Sequence, residues 1–76
     1  MAGEYWLKVS HDEALVLFEW ISRFNDKPTV EFADQAEERV LWSVEAMLQT
    51  KLVEPFRDDY LESLAKARAN VRDSTK

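Results

Sequence analysis

The chain has no cysteine, one glycine and two prolines among its 76 residues. Without cysteine, neither a disulfide framework nor a thiolate metal site can reinforce a small core. The lone glycine, Gly3, cannot supply the glycine-rich turn on which phosphate-binding loops depend. Stability must therefore come from packing, in a chain that buries roughly 60% of its unfolded surface.

Long apolar runs and basic clusters are also lacking. No apolar run approaches the ~20 residues that span a membrane, and the first residues lack the basic and apolar regions of a signal peptide. Fifteen acidic against ten scattered basic residues give a net charge of −5, which disfavours binding to a nucleic-acid backbone. We expect one cytoplasmic domain, ordered over residues 4–71 with a frayed tail at 72–76, that binds neither membrane nor nucleic acid.

The most apolar stretch is residues 14–24, where eight of eleven positions are apolar. On a helix these residues form a stripe with Trp20 at its edge, while Leu15 and Val16 fall outside it on opposite flanks. The predicted stripe consists of Ala14, Leu17, Phe18, Ile21 and Phe24. A helix this apolar must be covered on more than one side, so we expect it at the centre of the domain.

The segment before this helix alternates, with Tyr5, Leu7 and Val9 on one face and Trp6 and Lys8 on the other. A period of two with aromatic and β-branched residues predicts a short strand. A single strand leaves backbone groups unsatisfied. It is therefore expected to pair with a second short strand at residues 29–32, or with its copy in a second chain.

Three helices follow from capping patterns and periodicity. Ser10 and Glu13 have the capping-box spacing, which predicts a helix over residues 11–24. A second pattern at Asp34 starts a helix that ends near residue 50, and a third helix spans about 58–71. The inner face of the third helix is predicted to hold Phe56, Tyr60, Leu64, Ala67 and Val71. The predicted fold is α+β, mostly α, with three helices packed on a short N-terminal strand.

Residues that carry chemistry are scarce. The only histidine, His11, adjoins Ser10, but a serine committed to capping a helix is a poor nucleophile. Neither a calcium loop nor a Glu-x-x-His pair is present, and Glu38 and Glu45 are interpreted as solvated surface. We expect no catalytic residue, no cofactor and no metal. A catalyst built on His11 is the least favoured hypothesis.

A better candidate for function is Trp42, which points away from the apolar arc of the second helix. A large aromatic residue ringed by charged and small residues is typical of a binding anchor. The alternative is that the N-terminal strand or the connector at 52–56 folds over it. The predicted interface comprises Trp42, Ala46, Arg39, Gln49, Trp20 and Trp6.

Four segments together resemble a family of small bacterial proteins to which no activity is attached. They are residues 5–10, 12–20, 36–42 and 52–56, which include Tyr-Trp-Leu-Lys-Val-Ser, Ala-Glu-Glu-Arg and Leu-Val-Glu-Pro-Phe. The resemblance implies a bacterial cytoplasmic origin and carries no functional residues over to this chain.

Two functions remain as hypotheses. The first is a non-enzymatic protein–protein interaction module that forms a homodimer through the aromatic surface around Trp42. The second is an acidic neutralising protein, of the antitoxin or inhibitor type, whose binding to a basic partner weakens steeply with salt.

Overall fold

The computed structural model describes residues 3–73, and every regular element in that range is a helix. The elements are α1 (His11–Asp26), α2 (Gln35–Lys51), a one-turn 3₁₀ helix (Glu54–Phe56) and α3 (Tyr60–Asp73). The fold of residues 3–73 is therefore all-α, and the predicted α+β class was wrong.

The predicted N-terminal strand is absent because residues 3–73 contain no second strand with which it could pair. Residues 4–9 and 29–32 do not form strands. The second segment contains bends instead, and its Phe32 ring packs edge-on against Phe24 of α1 at 5.7 Å between centroids. With residues 29–32 held against α1 in this way, residues 4–9 lack the backbone partner that a strand requires.

The first helix begins as predicted. The Ser10 side chain accepts a hydrogen bond from the Glu13 amide at 3.0 Å, and the Ser10 amide donates to Glu13 Oε1 at 2.8 Å. Both halves of the capping box are thus confirmed, and they satisfy donors that a helix start leaves exposed. The helix runs to Asp26, two residues beyond the predicted end.

Helix α1 is central and antiparallel to both other helices. Near its start Asp12 accepts a hydrogen bond from Asn70, and further along Glu19 accepts one from Tyr60, which places α3 beside it in the opposite direction. Leu17 lines a groove with Met47, and Phe24 lines one with Val40, so α2 also runs in the opposite direction to α1. Glu45 of α2 accepts hydrogen bonds from Ser22 and from Asn25. The prediction that α1 is covered on more than one side is confirmed.

The buried stripe of α1 is rotated from its predicted position. Leu15, predicted outside the stripe, is 1% exposed, whereas Leu17, predicted inside it, is 39% exposed. The rotation follows from α3, whose Leu64 and Ala67 belong to the same buried cluster as Leu15. The other four predicted stripe residues are buried: Ala14, Phe18, Ile21 and Phe24.

Helices α2 and α3 also start close to their predicted positions. The Asp34 side chain caps α2 by accepting from the Ala36 amide at 2.7 Å. On α3 the inner face is confirmed by buried Leu64 and Ala67. Phe56 was wrongly assigned to that face, since it lies in the 3₁₀ helix and is 70% exposed.

The molecule is more open than a compact domain of its size. Its accessible surface is 6474 Å², whereas a folded monomer of 8.9 kDa exposes about 4,800 Å². Its radius of gyration is 13.9 Å, against about 11 Å for a compact chain of this length. Large apolar side chains contribute to this exposed area, among them Tyr5, Trp6 and Leu7.

Within residues 3–73, no helix combines the length and apolar character needed to cross a bilayer. Helix α3 continues to Asp73, and residues 74–76 of the predicted frayed tail lie outside the described range.

Candidate interaction surface

One side of the α1–α2 pair carries a continuous apolar strip. Apolar side chains recur along it at helical spacing, so they lie on one face of each helix. At one end Trp20 and Val40 border a groove, and at the other end Leu17 and Met47 border a second groove. We call this strip the seam face, and it consists of Leu17, Trp20, Val40, Val44 and Met47.

The seam face is exposed to solvent because α1 covers only part of the apolar surface of α2. No residue of α2 is fully buried. Leu41 and Leu48 are partly buried, whereas Val40 and Met47 are 60% and 59% exposed. The predicted apolar arc of α2 is therefore wider than the surface of α1 that covers it.

A second exposed apolar feature precedes α1. Residues 3–9, here called the entry segment, have no regular secondary structure. The segment borders the groove at Leu17 and Met47, yet Tyr5, Trp6 and Leu7 are 89%, 89% and 88% exposed. Its side chains are thus beside the groove without being buried in it.

The predicted anchor Trp42 lies on a different flank of α2. It is two residues from Val40, which separates them by about 200° around the helix. Trp42 is 48% exposed, and the Arg39 guanidinium lies 5.9 Å from its ring centroid, within range of a cation–π contact. Among the described residues, those lining the two grooves of the seam face do not include Trp42.

The other predicted interface residues divide between these surfaces. Trp20 belongs to the seam face and stacks on Phe24 at 5.2 Å between centroids. Trp6 belongs to the entry segment. Ala46 and Gln49 are exposed on α2. The three tryptophans therefore do not border a single groove among those described, and the interface assignment itself stays a prediction.

Sequence reasoning missed the polar contact between α1 and α2. Glu45 was interpreted as solvated surface, but its carboxylate accepts from Ser22 Oγ at 3.0 Å and from Asn25 Nδ2 at 2.7 Å, in a half-buried position. Glu45 lies four residues after Leu41 and three before Leu48, and those leucines face α1. Residues with this spacing share a helix face, so the sequence could have predicted that Glu45 also faces α1.

Two further ionisable groups join distant parts of the chain. His11 Nε2 lies 2.6 Å from Glu54 Oε2, which ties the start of α1 to the 3₁₀ helix. A hydrogen bond from its own backbone lowers the pKa of the Glu54 carboxyl, burial opposes this and His11 adds to it. Burial, and then the hydrogen bond to Glu19, raises the pKa of Tyr60 well above its usual range.

These contacts form no recognisable chemical centre. Ser10 is engaged in the capping box and His11 contacts Glu54, so the structure does not pair them as a serine nucleophile and its base. Within the described range, no three histidine, aspartate or glutamate side chains are grouped so that they could hold a metal ion. The features that invite a functional interpretation are the apolar surfaces.

Comparisons with protein-family models, curated proteins and solved structures find no match to this chain. The resemblance to a bacterial family drawn from the sequence therefore stays a prediction.

Proposed function

We propose that this protein is a non-enzymatic protein–protein interaction module that associates with itself through the seam face. The observation that supports this most directly is the exposure of Val40 and Met47 on a helix with no fully buried residue. Removing such side chains from water is favourable by about 25 cal/mol for each Å² covered. A second copy of the chain offers an identical apolar surface, as a symmetric dimer requires.

The seam face carries large apolar side chains that water surrounds in the monomer. Leu17, Trp20, Val40 and Met47 are 39–60% exposed. Apolar patches of several hundred Å² on a small domain are typical of interaction sites.

Single substitutions on opposite flanks of α2 test which surface associates. Val40→Glu places a charge in the seam face, and Trp42→Glu places the same charge on the other flank. Val40 and Trp42 are 60% and 48% exposed, so each variant is the matched control for the other. We expect a dimer for the wild type and for Trp42→Glu, and a monomer for Val40→Glu, by light scattering over a hundredfold range of concentration.

The opposite pattern would move the interface to the Trp42 flank, where the aromatic ring and Arg39 resemble a binding anchor. A wild-type monomer at every concentration would exclude self-association.

Salt distinguishes this proposal from the acidic neutralising protein. Two copies that each carry a charge of −5 repel each other, and salt screens that repulsion. Self-association through an apolar surface should therefore be unchanged or tighter in 0.5 M NaCl. Binding to a basic partner should instead weaken steeply, and that hypothesis stays a prediction.

A further inference from the structure

We infer that the groove at Trp20 and Val40, here called the aromatic groove, binds a small organic cation. The apolar body of the ligand lies against the aromatic rings, and its ammonium group lies beside Glu31 and Glu37. This ligand site goes beyond the proposed self-association, which needs no ligand.

Three rings in contact with one another form one wall of the aromatic groove. Trp20 stacks on Phe24 at 5.2 Å between centroids, with 10° between the ring planes. Phe32 packs edge-on against Phe24 at 5.7 Å. Phe24 is 8% exposed, whereas Trp20 is 47% exposed. The buried central ring therefore holds the stack in place, and the indole keeps free surface for a ligand.

The size and shape of the aromatic groove suit a small molecule. Its volume is about 600 Å³, within the range of about 300–1,000 Å³ that is typical of ligand sites. Helix α1, the segment at 29–32 and helix α2 all contribute to it, so the packing of the domain itself shapes the groove. The large apolar residues that line it are Trp20, Phe24, Val30, Phe32, Val40 and Leu41.

The charged residues that line the aromatic groove are both acidic, Glu31 and Glu37. Among the residues that the structure describes, none is a hydrogen-bond or ion-pair partner of the Glu31 carboxylate. Glu37 Oε1 accepts a hydrogen bond from the Ala33 amide at 2.8 Å, which holds the second carboxylate in place. An ammonium group is complementary in charge to both, and the net charge of −5 also attracts cations.

The nearby basic side chains border a different hollow. Arg23 and Lys27 share that neighbouring hollow with Trp20 and are not among the residues of the aromatic groove. Arg23 Nε also lies 3.3 Å from Glu19 Oε2. An organic anion would meet two carboxylates in the aromatic groove, whereas a cation gains from them and from the indole ring, by a cation–π contact.

The first test compares probes that share a phenyl ring and a propyl-length chain but differ in charge. They are 3-phenylpropylammonium, 3-phenyl-1-propanol and 3-phenylpropionate, titrated at pH 7 and followed by amide chemical shifts in NMR spectra. We expect a dissociation constant of about 1 mM for the ammonium probe. The alcohol should bind about fivefold more weakly and the carboxylate more weakly still.

The outcomes of this series are decisive. Equal affinities for the three probes would show that the groove selects apolar character alone, and would overturn the inference. Tighter binding of 3-phenylpropionate, or the absence of ammonium-probe binding at tenfold the expected dissociation constant, would overturn it too.

The second test removes the two negative charges. Glu31→Gln, Glu37→Gln keeps an acceptor for the Ala33 amide, because a glutamine side chain also has a carbonyl oxygen. The matched control Glu4→Gln, Glu62→Gln makes the same change in net charge at exposed positions away from this groove.

We expect the groove variant to bind the ammonium probe about fivefold more weakly, and the control to bind like the wild type. Equal weakening in both variants would show that net charge alone attracts the probe, and would contradict the assignment of Glu31 and Glu37.

The third test locates the bound probe by tryptophan fluorescence. The chain has three tryptophans, and Trp6 and Trp42 do not line the aromatic groove. In Trp6→Phe, Trp42→Phe, the remaining Trp20 should report the titration with 3-phenylpropylammonium. In Trp20→Phe the other two tryptophans should give no change. A response from Trp6 or Trp42 without one from Trp20 would place the probe elsewhere and overturn the inference.

Failure of this inference and failure of the proposed function are distinguishable. Trp20 and Val40 belong to the seam face as well, so the probe and a second copy compete for them. Binding is therefore measured on dilute protein that light scattering shows to be monomeric. A wild type that is monomeric at every concentration would remove self-association and leave the ligand site in place. A monomer that does not bind the ammonium probe would remove the ligand site alone.

Discussion

Hydrogen bonds join α1 to both other helices, but the side of α1 that faces α3 is closed by apolar side chains, whereas the side that faces α2 has an open apolar edge. Toward α3, Leu15, Leu64 and Ala67 are each at most 2% exposed. Toward α2, Glu45 receives hydrogen bonds from α1, and Val40 remains in water. The α3 side of α1 is thus sealed from water, whereas the α2 side leaves part of its apolar surface exposed.

The largest expected effect tests this difference directly. Leu15→Ala opens a cavity between α1 and α3 and should lower the free energy of unfolding by about 3 kcal/mol. Leu41→Ala, its counterpart on the partly buried face of α2, should cost about 1 kcal/mol, because less of the side chain is packed. Urea unfolding followed by circular dichroism measures both. Equal losses would mean that the two sides of α1 are packed alike.

A smaller effect is expected from the polar contact. Glu45→Ala leaves the half-buried donors of Ser22 and Asn25 without their acceptor, at a cost of about 1–2 kcal/mol. The exposed Glu62→Ala is the matched control and should change stability little. Hydrogen exchange in Glu45→Ala should accelerate at the amides of α2 more than at those of α3. Uniform acceleration over both helices would contradict a local role for Glu45.

The smallest effect concerns the hydroxyl that links α3 to α1. Tyr60→Phe removes the 2.7 Å hydrogen bond to Glu19 and should cost about 1 kcal/mol near pH 7. The folded-state pKa of Tyr60 lies above its ordinary value of 10.0. The contribution of the protonated Tyr60 hydroxyl to the free energy of unfolding is therefore fully present below pH 10.0 and is lost as pH rises further.

The stabilities of wild type and Tyr60→Phe should therefore converge above that pH. Tyr5→Phe, at an exposed site, is the control and should follow the wild type. A difference that stayed constant between pH 8 and 11 would show that Tyr60 titrates alike in the folded and unfolded chains.

Local signals made the helices predictable. The capping box at Ser10 and Glu13 involves residues three apart, so the sequence contains the whole interaction. The ion pair of Glu19 and Arg23 at i,i+4 was predictable for the same reason, and it occurs at 3.3 Å.

Features that depend on a distant partner were not predictable in this way. Alternation at Tyr5, Leu7 and Val9 indicates a strand only if another strand is available, and residues 29–32 are instead held against α1. The contact of His11 with Glu54 joins positions 43 residues apart. Exposure of the seam face depends on how much of α2 is covered by α1, which periodicity alone does not specify.

The capping box has a mechanical consequence as well as a stabilising one. A fully extended chain rises about 3.3 Å per residue, so Tyr5 can reach up to about 17 Å from the backbone of Ser10. A rotation of about 20° at that residue displaces the far end by about 6 Å. The first turn of α1 thus fixes the point from which the entry segment leaves the helix.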